Sequence, residues 1–190
     1  MQHRVALAAV AAIVLMAACA REAETPAPSV QEPAEANRVA PRRVVLFFEG
    51  PRALLVPEPR DLPLPESDAA TLHPLVAAFL AGPQRTPGAT PLPADTILRG
   101  AFLLPGGTAV VDLGGETLQQ GWSAGTRNEM LAAYGLVQTI VANVSSVERV
   151  HILIGGEVAP TLGGHLDLSR PLRPEAWLVD RMPVEPAPSP

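Results

Sequence analysis

Proline sets where this chain can build a core. It has 22 prolines in 190 residues, and many of them crowd two stretches. These are AREAETPAPSVQEPAEANRVAP, residues 20–41, and PVEPAPSP, from Pro183 onward. Neither has an apolar period, and Ala, Pro and Glu bury too little surface to offset the entropy of ordering. The first reads as a semi-extended tether, rising ~3.1 Å per residue where it adopts polyproline II. The second belongs to a disordered tail over 179–190. The folded unit is expected between them, over 42–178.

Inside that unit, proline and glycine mark the turns. RVVLFFE (43–49) is a buried strand bounded by Gly50-Pro51. ALLVPEPRDLPL (53–64) is extended, and its prolines confine it to a sheet edge. Thr71 is a candidate cap for a helix with Leu72, Leu75, Val76, Phe79 and Leu80 on one face, which would put Pro74 harmlessly in the first turn. Gly82-Pro83 stops that helix. TILRGAFLLPGGTAVVDL (96–113) reads as a hairpin, Glu116 to Gly125 as a loop, and Thr126 as the start of a longer helix. VERVHILIGG (147–156) is a further strand. This order predicts an α+β fold: a two-layer sandwich with a mixed β-sheet and two helices on one face.

The N-terminus predicts where the unit works. His3 and Arg4 precede an apolar run from Val5 to Met16, then Ala17, Ala18 and Cys19, the sole cysteine. The run is short for a membrane span and has the layout of a secretory leader over residues 1–18. Leu15-Met16-Ala17-Ala18-Cys19 resembles a bacterial lipobox, which implies a lipidated Cys19, palmitate among its acyl chains, anchored on the extracytoplasmic side of a membrane. Ala20 after the cysteine suggests the outer membrane where the organism has one. No second cysteine exists to form a disulfide. A formal net charge of −5 speaks against a nucleic-acid partner.

Six segments in order carry a resemblance: FLAGP (79–83), PLPADTILRG (91–100), GGTAVVDLGGE (106–116), NEMLAAYGLVQTIVAN (128–143), VERVHILIGGE (147–157) and TLGGHLDLSRPL (161–172). Together they resemble the GerMN domain of bacterial lipoproteins and cell-envelope proteins linked to sporulation and germination. The resemblance implies a fold similar to the ring-building motif of secretion machines, and a non-catalytic part in protein–protein contact or self-association. It gives Gly82, Pro83, Asp112, Glu129, Gly163, Gly164, His165 and Asp167 structural parts, and it implies no cofactor.

Each candidate site residue has a plain reading beside the functional one. Asp112, before Gly114-Gly115, is a carboxylate aimed into a pocket or an acceptor for N–H groups in the following turn. Glu129 stands at capping-box spacing from Thr126, which accounts for it without catalysis. Gln138 and Thr139 offer a partner contact or a solvated helix face. Trp122, in QQGWSAGT, is an interface anchor or a lid over the sheet edge. His73 and His151 have no metal-ligand spacing, so no metal is expected. His165, Asp167 and Ser169 alternate as a terminal strand would, with Leu166 and Leu168 turned to the core. No catalytic motif occurs. Envelope proteins are therefore the first expected partners and peptidoglycan glycan the second, with an envelope hydrolase a distant third.

Overall fold

The computed structural model describes residues 40–85 and 92–181. The expected leader, Cys19, most of the tether and the tail beyond residue 181 lie outside the described residues. The chain forms strands β1 (Pro41–Glu49) and β2 (Leu55–Pro63), helix α1 (Asp68–Leu80), and strands β3 (Ile97–Leu104) and β4 (Thr108–Gly114). A one-turn helix α2 (Glu116–Gln119), helix α3 (Thr126–Asn143), strand β5 (Arg149–Ile154) and a 3-10 turn (Ala176–Leu178) follow. The class is α+β as expected, but the strands form two hydrogen-bonded groups. β1 and β2 are an antiparallel hairpin, while β3, β4 and β5 form a three-stranded sheet with β4 central. The β3–β4 pair is antiparallel and β4–β5 parallel, so this sheet is the mixed one.

In the hairpin, Val45 lies opposite Pro59 and Phe47 opposite Pro57. The N–H groups of Val45 and Phe47 point away from β2, toward α3, where Asn143 Oδ1 accepts at 2.9 Å and Thr139 Oγ1 at 3.0 Å. In antiparallel pairing, the facing residues then also point outward. Pro57 and Pro59 therefore sit on the outer rim of β2, where a missing N–H costs no ladder bond. Asn143 Nδ2 donates back to the Val45 carbonyl at 2.7 Å. Helix side chains thus complete the open edge of β1 as a neighbouring strand would.

One face of the three-stranded sheet is covered. Ala109, Val111 and Leu113 of β4 and Val150 and Ile152 of β5 are buried with the apolar face of α1 and with Leu136, Val137 and Ile140 of α3. The hairpin adds Val44, Leu46 and Phe48, and the Phe48 ring stacks on Phe79 of α1 at 5.5 Å. Gly135 lets α3 approach β1 closely. A Cβ there would lie 2.9 Å from the Phe47 carbonyl oxygen.

Local expectations are corrected at several points. Ser67, not Thr71, caps α1, accepting from the Ala70 N–H at 3.3 Å. Thr71 is buried and donates to the Pro65 carbonyl. Pro74 therefore falls in the second turn, where its ring leaves the Ala70 carbonyl without a helical donor. The segment after β4 is not all loop: Asp95 Oδ2 accepts the Thr117 N–H at 2.9 Å and Leu118 is buried, which together hold α2. The folded unit also extends past both expected ends. Pro41 pairs with Pro63, and Asp180 is buried, its N–H donating to the Leu55 carbonyl.

Candidate functional site

Glu129 is the most buried charged group among the α3 residues, with 0% of its surface exposed. It does not close a capping box. Gly125 is the N-cap of α3, and no side chain caps that end. Instead, Glu129 Oε2 accepts the N–H groups of Gly163, His165 and Leu166, each at 3.1 Å. Its Oε1 meets His165 Nδ1 at 2.7 Å. A carboxylate only accepts, so the proton on that bond sits on Nδ1. Burial pushes the carboxyl pKa up, but the bonds from His165, Leu166 and Gly163 outweigh it and hold the group below its ordinary value. With both oxygens occupied, Glu129 is an organiser of the 163–166 turn and has no free lone pair aimed at a substrate.

That turn replaces the expected terminal strand. Residues 161–168 form bends closed by single bridges, with Leu162 and Leu168 buried and Leu166 half-buried. The reason is Glu129 itself: three N–H groups converging on one carboxylate cannot also lie along a ladder. Gly163 is required by contact, since a Cβ there would fall on the Trp122 carbonyl oxygen. Gly164 and Asp167 are exposed, and Asp167 Oδ1 accepts the Ser169 N–H at 2.8 Å.

Asp112 bonds outside its own turn. Its Oδ1 accepts the Gly156 N–H at 2.8 Å and its Oδ2 pairs with Arg99 Nε at 3.0 Å, tying the ends of β4 and β5 to β3. Thr139 is fully buried against β1, so it is not a partner contact, while Gln138 is half-buried. The Trp122 ring packs against the core, which favours its lid reading. Among the described residues, no cluster of three His, Cys, Asp or Glu side chains could hold a metal ion.

Three features had no local signal in the sequence. Glu58 and Arg60 of β2 form a buried ion pair at 2.6 Å. Arg60 also donates to the Ala78 and Gly82 carbonyls and lies over the Phe48 ring, while Glu58 accepts the Gln84 and Arg85 N–H groups. The FLAGP stop is thus held on a charge pair, Gly82 buried and Pro83 half-buried above it. The second feature is the open face of the three-stranded sheet. Phe102, Val110 and His151 lie in register across it, with Phe102 58% exposed and Leu104 and Ile97 also bare. The third is Trp177, 63% exposed on the 3-10 turn.

A six-segment order lying on two helices and their strands points to one family, and comparison decides it. The family model described as Germane, sporulation and spore germination, matches residues 45–159, more than half of the chain. The chain belongs to the Germane family. Its folded unit is similar to two solved structures. A candidate lipoprotein from Clostridium perfringens is 22% identical with a TM-score of 0.50, over 71% of this chain and 89% of that one. The tandem GerMN domains of the sporulation protein GerM from Bacillus subtilis are 21% identical with a TM-score of 0.51, over 70% of this chain and 46% of that one. Such identities show the fold alone. No curated protein matches the chain. Glu129 lies within the Germane match, whereas the 163–166 turn and Trp177 lie beyond it.

Proposed function

We propose that this chain is a lipid-anchored, non-catalytic envelope protein whose GerMN domain binds another protein through the open face of the β3–β4–β5 sheet. The observation that carries this is the bare apolar row on β3. Phe102 and Leu104 stand exposed on the face that no helix covers. Burying one such side chain against a partner is worth about 1.5–3 kcal/mol, so two or three make a contact centre. Arg99 and Asp112 at one end and Arg149 at the other give the patch a polar rim. A catalytic reading has less support. The Glu129–His165 pair spends its hydrogen bonds on the 163–166 backbone, and no hydroxyl among the described residues bonds His165. The glycan reading has less support from Trp122, which is half-buried against the core. The family's tie to sporulation and germination, and cell-wall processes more broadly, are the settings in which a partner would be sought.

The test is crosslinking in intact cells with a photoreactive residue at position 102 and, as control, at exposed position 157. The expected result is a discrete protein adduct at 102, absent at 157, that Leu104→Glu on the same face abolishes without changing the unfolding midpoint. The same adduct pattern from both positions would sink this surface.

A further inference from the structure

Trp177 is held out by the fold. The next residue, Leu178, is buried with Phe47, Leu55 and Leu131, which pins the 3-10 turn and leaves the indole in solvent. On one side of the indole lies a cleft of about 280 Å³, floored by Leu54, Met130, Leu131 and Leu178. Thr126 and Arg127 close it at the first turn of α3. A second cleft on the other side is lined by Arg52, Glu175, Asp180 and Arg181. Arg52 is paired with Asp180. Neither Arg127 nor Arg181 has an ion-pair partner among the described residues.

The chemistry selects the occupant. The floor carries no hydrogen-bonding side chain, so a sugar placed there would lose water contacts without replacement. The volume is near the lower end of the roughly 300–1,000 Å³ of small-molecule sites, which suits a single large apolar side chain. Around it, the Arg127 and Arg181 guanidinium groups favour carboxylates. The start of α3, where no side chain caps the exposed N–H groups, adds to this preference. In a chain of net charge −5, the two clefts set Arg52, Arg127 and Arg181 against Glu175 and Asp180, which leaves this corner at +1. We propose that the Trp177 cleft binds an acidic peptide segment of a partner protein, with one apolar side chain in the socket against the indole and flanking carboxylates on Arg127 and Arg181. The site is separate from the sheet face, so the domain would carry two binding surfaces.

The full chain in detergent micelles is titrated against a fluorescein-labelled Gly-Asp-Asp-Leu-Glu-Asp-Gly peptide and followed by anisotropy. Two control peptides replace the leucine with serine, or every acid with lysine. Saturable binding is expected for the acidic leucine peptide, at least about 10-fold tighter than for either control. Trp177→Ala and Arg127→Glu should each weaken it by about 10-fold or more, and Phe102→Glu should leave it unchanged. In both weakened variants the Trp122 indole N–H resonance should stay in place, reporting an intact core. Four results would each overturn the proposal: equal binding of the control peptides, no saturation at millimolar peptide, undiminished binding by both variants, or displacement by an N-acetylglucosamine tetramer.

Discussion

A carboxylate with no exposed surface stays ionised only because its oxygens are fully taken up by donors. Protonating Glu129 would weaken four hydrogen bonds at once, and this is the physical content of its lowered pKa. The sign follows from linkage. The folded group holds its proton less tightly than an unfolded glutamate. Its contribution is therefore complete above about pH 4.5, its ordinary value, and is lost as the pH falls through the folded value. Glu129→Gln should cost about 2–3 kcal/mol at pH 7, because an amide cannot accept from every donor there. That cost should shrink as the pH falls below about 4.5 and through the lowered folded value, where the wild-type carboxyl itself takes up a proton. Urea unfolding of both proteins across this range measures it, and a gap that does not change with pH would show that the charge is not what matters. The sequence placed Glu129 at a helix start, where a cap explains any acid. Its true partners are 34–37 residues away, with no periodic signal to announce them.

At the scale of elements, the strands and helices were legible because proline, glycine and apolar spacing are local signals. The β2 prolines announced an edge, and an edge is where they lie. The short reach of those signals also explains the misses. Asn143 sits on the polar side of α3, and nothing near it shows that it completes a strand 98 residues away. Glu58 and Arg60 look like two more polar residues in a proline-rich strand until α1 ends on top of them. α3 proved buried over more of its circumference than one apolar stripe suggests, because the hairpin and the three-stranded sheet both pack on it. Gly135 tests that packing. On an isolated helix, Gly135→Ala would stabilise by about 1 kcal/mol. Here the added methyl would meet the Phe47 carbonyl at 2.9 Å and the Phe79 ring at 3.3 Å. A loss of about 1–3 kcal/mol is expected instead, read as a lower melting temperature. A higher one would mean that α3 and β1 are not in close contact.

For the whole molecule, the decisive prediction concerns the end of the chain that carries Cys19. Cys19→Ser should move the protein from the membrane fraction to the soluble extract, since no helix among the described residues is long and apolar enough to cross a membrane. An unchanged membrane fraction would remove the lipid anchor from the reading. The arrangement of strand edges has a consequence for assembly. β1 is closed by Thr139 and Asn143, β2 by prolines and the Val179 bridge, and β5 by Leu172. Pro57 and Pro59 leave the outer rim of β2 short of donors, whereas β3 keeps a row of both N–H and C=O groups without a partner among the described residues. A molecule with one sticky side can pair but cannot polymerise: strand-to-strand joining between copies would stop at two. Any larger array would have to be built through side-chain surfaces instead, so the count of subunits would be set by geometry and not by the supply of protein.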